Sequence, residues 1–183
     1  MQDVRRRMTI HKQKEVKNYY QREDVASKYI KKRFTEPLNY VEHKRQVKII
    51  NKIIKRNNVK KLLEFAPGPA RLTAELDFKN GTSIDSSASM INVARQRMQE
   101  INKPWKFLEG DIFDLKLKSK YEFIFGIRFF LHFKLEERKK IYRQAYNNLE
   151  PDGLLAFEVM NRNVVLPLRK ILGKKRYFVY DKL

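Results

Sequence analysis

The sequence predicts a doubly wound α/β domain, a parallel sheet with helices on both faces, and three observations carry that expectation. From residue 61 onward, short apolar runs rich in β-formers alternate with helical patterns, as parallel strands joined by helical crossovers read. Small residues crowd the first strand-to-helix junction, Ala66-Pro67-Gly68-Pro69-Ala70. Acids recur at the ends of three successive strand candidates, Glu64, Asp85 and Asp111, where open parallel sheets bind their ligands.

Residues 1–40 are polar and basic, with Tyr19, Tyr20, Val25, Ala26, Tyr29, Ile30 and Phe34 spaced as in short amphipathic helices and Pro37 breaking the segment. They are expected to form a helical lid beside a main domain over residues 41–183. Across residues 41–56, Val47, Ile50, Ile53 and Ile54 recur at helical spacing, with Lys44, Arg45, Lys48, Lys52, Lys55 and Arg56 on the other face. Asn57-Asn58 ends that helix. Strands follow at 61–65, 82–84, 105–109, 123–127 and 154–160, and helices at 70–76, 88–101 and 135–148. After these only residues 174–180 could supply a further strand, so the C-terminal edge of the sheet reads as incomplete. An open edge also leaves a homodimer as an expectation.

At 183 residues the chain suits one domain with a substantial core. Its formal charge of +20 calls for an anionic partner to be considered, RNA among them. Residues 1–61 alone hold 19 Lys and Arg against 6 Asp and Glu. The absence of cysteine excludes disulfides, thiolate metal sites and cysteine nucleophiles, and no metal site is expected. Arg5-Arg6-Arg7 has no apolar run behind it, and runs such as Phe123-Ile124-Phe125 are too short to span a bilayer. A cytoplasmic location is expected.

The junction selects the ligand. Ala66, Gly68 and Ala70 let the backbone approach a ligand closely, and the amides opening the next helix are unpaired donors. A dinucleotide fingerprint would need glycine-class residues at 66, 68 and 71, yet position 71 is Arg71. A carboxylate at Glu64 would repel a pyrophosphate and attract a ligand bearing an ammonium and a sulfonium, which points to S-adenosylmethionine rather than NAD. Asp85, about twenty residues after Glu64, is placed to accept from two ribose hydroxyls, and it would serve equally as a helix N-cap. Asp111 can accept from an adenine amino group while the next amide donates to the ring, with Ile112 and Phe113 packed on it.

Together these segments resemble the class I S-adenosylmethionine-dependent methyltransferase family over about residues 60–160. Glu64-Phe65-Ala66-Pro67-Gly68-Pro69-Ala70 is similar to the family's acid followed by alternating glycines, and Asp85-Ser86-Ser87-Ala88-Ser89-Met90 to its ribose-binding segment. Gly110-Asp111-Ile112 resembles the adenine-binding step, Tyr121-Glu122-Phe123-Ile124-Phe125-Gly126 the fourth strand, and Leu149-Glu150-Pro151-Asp152-Gly153 the turn before the fifth. The resemblance implies a Rossmann-like sheet and cofactor contacts from Glu64, Ala66, Gly68, Arg71, Asp85, Ser86, Met90, Asp111, Ile112, Phe113 and Ile127. It also implies in-line transfer of a methyl group from the sulfonium to a small-molecule or lipid-intermediate acceptor. His132 is the candidate general base, and Tyr29, Arg33 and Arg128 are candidates for holding the acceptor, with Tyr20 and Phe34 also in the lid. Ala66 and Ala70 replace glycines, a penalty wherever φ must be positive. Gly126-Ile127-Arg128-Phe129 lacks the acidic or amide residue, paired prolines and aromatic of enzymes acting on nucleobase amines. An RNA methyltransferase and a non-catalytic binding protein of the same fold are the alternatives.

Overall fold

The computed structural model describes residues 19–33, 37–159, 163, 167 and 171. Five strands, β1 (Leu62–Phe65), β2 (Thr82–Asp85), β3 (Lys106–Glu109), β4 (Tyr121–Gly126) and β5 (Leu149–Phe157), form one sheet in the order β3-β2-β1-β4-β5. Every pairing is parallel. The strand order therefore reverses at β1, and the crevice above β1 and β4 is the topological switch point. Among the described residues the sheet is accompanied by α1 (Glu23–Arg33), α2 (Pro37–Arg56), α3 (Ala88–Glu100) and α4 (Leu135–Asn147).

Burial explains the layering. On one face Val47, Ile50 and Ile54 of α2 pack on Leu62, Phe123 and Phe125, while Ile91, Ala94 and Met98 of α3 pack on Phe107 and Ala70. On the other, Ile141 and Ala145 of α4 meet Leu63, Phe65 and Ile124, with Ile112, Phe113, Leu115 and Leu117 extending that layer. Strands buried on both faces read as apolar runs, as parallel sheets require.

Four expectations change. Residues 70–76 form turns and one 3-10 turn, Thr73–Glu75, because Ala70 lies at φ +54° and cannot enter an α-helix. The fifth strand begins at Leu149, so residues 149–153 are its irregular first part, with a register shift opposite Tyr121 and Phe123. Pro37 opens α2 rather than only ending what precedes it, as a residue with no amide hydrogen does at a first helical position. The N-cap of α3 is Ser87, which accepts from Met90 N at 3.2 Å, so Asp85 is released from that role.

The N-terminal segment is tied to α3: Ser87 Oγ donates to the Tyr20 carbonyl at 2.7 Å and Ser89 Oγ to that of Gln21 at 2.6 Å. Phe34, the 174–180 strand candidate and the side chain of Arg33 lie outside the described residues. Among the described residues no helix is long and apolar enough to cross a membrane.

Candidate active site

Strands β1, β2, β3 and β4 deliver their carboxyl ends to one cleft, lined there by Ala66, Asp85, Gly110 and Ile127, as ligand sites of open parallel sheets are. Its floor begins at the β1 junction. Three alternate residues there adopt left-handed backbone, Ala66 at φ +52°, Gly68 at +56° and Ala70 at +54°, and Ala66 N donates to the Ile84 carbonyl at 2.8 Å. A methyl group built on Gly68 would meet nothing within 4 Å, so the chain there faces open space, while Ala70 is fully buried against α3.

Asp85 stands beside this loop. Its Oδ2 accepts from Gly68 N at 3.2 Å and its Oδ1 from Ser87 N at 2.9 Å. The carboxylate therefore holds the loop to the start of α3. Burial at the cleft floor pushes its pKa up to about 6, although backbone amides of Ser87, Gly68 and Ser86 pull the other way. Asp111 follows β3 and accepts from Phe113 N at 3.0 Å. This turn presents Asp111, Ile112 and Phe113 to the cleft, where Met90 and Ser86 also lie.

The opposite wall comes from the residues after β4 and from the N-terminal segment. Ile127, Arg128, Phe129, His132 and Phe133 line it, and Tyr20 and Tyr29 face them. The Tyr20 ring meets His132 edge-on at 5.7 Å and Tyr29 at 6.2 Å. Arg128 sits at φ +59°, a backbone strain of the sort found at ligand sites, and its amide donates to Glu158 Oε2 at 2.8 Å.

Glu64 is not brought to the cleft. Its side chain points into the sheet face and accepts from Thr73 Oγ1 at 2.5 Å and Ser83 Oγ at 3.0 Å. Ser83 is its register partner on β2 and in turn receives Trp105 Nε1 at 2.8 Å. Burial pushes the Glu64 pKa up to about 7, against the hydrogen bonds from Thr73 and Ser83. This acid ties β1, β2 and the 3-10 turn together beneath the site.

The partners of Arg71 were missed from sequence. Arg71, buried yet reaching the cleft, donates to His43 Nδ1 and, at 2.9 Å, to Gln46 Oε1. His43 Nε2 donates to Glu75 Oε1 at 2.7 Å, and Gln46 Nε2 to Glu158 Oε1 at 2.7 Å. Burial lowers the His43 pKa, reinforced by Arg71 and opposed by Glu75, which suits a neutral ring that accepts at Nδ1 and donates at Nε2. The network joins α2, the β1 loop and the end of β5. Its sequence signal was the spacing: His43 and Gln46 share the buried face of α2 with Val47, Ile50 and Ile54.

Of the residues expected to contact cofactor, the cleft gathers Ala66, Gly68, Arg71, Asp85, Ser86, Met90, Asp111, Ile112, Phe113 and Ile127. Of those expected on the acceptor side, it gathers His132, Tyr29 and Arg128. Among the described residues no cluster of His, Asp and Glu could hold a metal ion.

Residues 62–153 match the methyltransferase-domain family. The match spans half of the chain and runs from β1 into β5. The chain belongs to the class I S-adenosylmethionine-dependent methyltransferase family. No curated protein matches it by sequence. Among solved structures it is similar to the magnesium protoporphyrin IX methyltransferase of Synechocystis PCC 6803 with bound SAH, at 15% identity and a TM-score of 0.76 over 93% of this chain and 84% of that one. It is also similar to an S-adenosylmethionine-dependent methyltransferase from Clostridium acetobutylicum ATCC 824, at 23% identity and a TM-score of 0.58 over 63% of this chain and 49% of that one. A Pyrococcus horikoshii OT3 protein gives 20% identity and a TM-score of 0.61, over 76% and 63% of the two chains. The chain thus spans about half the length of the Clostridium protein. These likenesses show the fold.

Proposed function

We propose that this chain binds S-adenosylmethionine in the cleft and transfers its methyl group to a small-molecule or lipid-intermediate acceptor by in-line displacement. The observation that carries the reading is the juxtaposition of the open left-handed loop at Gly68 with Asp85 and Asp111 at the ends of the two neighbouring strands. The residues fit the group. Asp85 retains acceptor capacity toward a ribose diol, and Ile112, Phe113 and Met90 supply apolar surface for a purine edge beside the Asp111 carboxylate. Among the described residues Arg71 and Arg128 bring guanidinium groups to the cleft, suited to a carboxylate.

When bound, the cofactor supplies a methyl group already activated on a sulfonium, so the protein's share of the chemistry is alignment and exclusion of water. Tyr20 and Tyr29 roof the wall formed by Phe129, Phe133 and His132, and an acceptor seated there is shielded from solvent. His132, on that wall, takes up the acceptor proton in this reading.

Thermal unfolding with S-adenosylhomocysteine tests the reading. At about 100-fold excess over Kd the melting temperature should rise by about 5–10 °C. Asp85→Ala should lose most of that increment whatever its own starting stability. No shift in a folded wild-type chain would overturn the reading.

A further inference from the structure

Helix α2 has two faces, and the cleft uses only one. His43, Gln46, Val47, Ile50 and Ile54 are buried against the sheet and the β1 loop. The solvent face is a second regular stripe at alternating spacings of three and four: Leu38, Val41, Arg45, Lys48, Lys52 and Lys55. These residues form one seam along the helix, about 25 Å long at the helical rise. No acid occurs between Glu42 and Glu64. None of Arg45, Lys48, Lys52, Lys55 or Arg56 forms an ion pair with another described residue. Ordinary surface cations are interspersed with acids, and this stripe is not.

Its apolar end is equally unusual. Leu38 is 73% exposed and Val41 64%, and Ile49 beside the cations is 48% exposed. Both ends have a place relative to the cleft. Glu42 lies 3.5 Å from Arg128 Nη1, and His43 and Gln46 bind Arg71, so the apolar first turns sit at the cleft rim. Lys55 and Arg56 lie at the far end, leading into β1 at its amino end.

We infer that the outer face of α2 docks the protein on an anionic lipid bilayer, with Arg45, Lys48, Lys52 and Lys55 on the headgroups and Leu38, Val41 and Ile49 entering the interface. A basic stripe with aliphatic side chains set among it matches the two requirements of interfacial binding, charge attraction and apolar insertion. A single-stranded nucleic-acid surface would instead present open aromatic platforms among its cations; the exposed aromatic of this helix, Tyr40, carries Lys44 Nζ over its ring at 5.5 Å, and the positions of the seam itself are aliphatic or cationic. Docking in this orientation brings the cleft rim to the membrane surface. The inference does not depend on methyl transfer, because binding to lipid is read without cofactor.

The test is sedimentation with vesicles of phosphatidylcholine containing about one-third phosphatidylglycerol, against pure phosphatidylcholine. The wild-type chain should pellet with the anionic vesicles only, and release as salt rises from ~0.1 to ~0.5 M. Neutralising the stripe (Lys48→Gln, Lys52→Gln, Lys55→Gln) should weaken binding about 100-fold. Equal neutralisation on α4 (Lys139→Gln, Lys140→Gln, Arg143→Gln) should weaken it much less. Leu38→Ser with Val41→Ser should reduce vesicle binding several-fold without changing affinity for a single-stranded RNA probe. Circular dichroism confirms that each variant is folded. The inference is overturned if the two charge variants lose binding equally, or if RNA is bound through the stripe while anionic vesicles are not.

Discussion

Three alternate residues of the β1 loop are left-handed, and two of them are alanines. An alanine in this region costs about 1–2 kcal/mol relative to glycine, whereas glycine loses about 0.4–1 kcal/mol through the freedom it adds to the unfolded chain. Ala66 is partly exposed, at φ +52°, so Ala66→Gly should stabilise the protein by about 0.5–1 kcal/mol. Ala70 has the same strain, at φ +54°, but its methyl is fully buried with Ile91, Ala94, Met98 and Phe107. Removing it forfeits about 0.8 kcal/mol of burial plus a small void, so Ala70→Gly should leave stability near its starting value. The reverse change, Gly68→Ala at φ +56° in open space, should cost about 1 kcal/mol from strain alone. Urea unfolding followed by circular dichroism measures all three. The reasoning fails if Ala66→Gly destabilises, or if Ala70→Gly gains more than Ala66→Gly.

Other consequences follow from the buried charges. Glu64 has its pKa raised by burial from 4.5 to about 7, so its native form holds a proton that the unfolded chain releases. Its contribution is present below pH 4.5 and lost as pH rises through about 7, an effect of about 3 kcal/mol. Glu64→Gln should flatten that slope in unfolding experiments between pH 4 and 8, and an unchanged slope would contradict it. Lys103 Nζ donates to the carbonyls of Thr73, Ala74 and Leu76, so Lys103→Met should lower stability by about 2 kcal/mol, visible as a melting shift of several degrees. Gln46→Leu removes the acceptor of Arg71 and the donor to Glu158. It should weaken S-adenosylhomocysteine binding in calorimetry by about tenfold, a loss of ~1.4 kcal/mol of the kind expected when buried charged partners are orphaned; unchanged affinity would show that the network does not support the loop.

Much of the architecture was legible because alternation of apolar strands with helical periods survives local irregularity. Asp85 and Asp111 could be placed because strand ends of a parallel sheet share one edge. Glu64 could not, since the direction of a side chain at a strand's third position depends on register: pairing with Ser83 turns it into the sheet face instead of the cleft. The helix expected at 70–76 failed for an equally local reason. The apolar spacing Ala70, Leu72, Ala74, Leu76 hides the left-handed φ at Ala70, which no side-chain pattern announces. His43 and Gln46 were passed over because polar residues on a basic helix read as solvent-facing, although their spacing with Val47 and Ile50 marked the buried side. The strained φ of Arg128 has no sequence signature, for arginine is not a residue that favours it.

The central claim is that the cleft over β1 and β4 is a cofactor site organised by Asp85. Isothermal titration with S-adenosylmethionine measures it most directly, on the wild-type chain and on Asp85→Asn, which keeps the shape and removes the charge. The account predicts one site of micromolar affinity, about −8 kcal/mol, weakened tenfold or more in the variant. A folded chain that releases no binding heat at any temperature tried, or binds the cofactor as well with Asn at position 85, would contradict it.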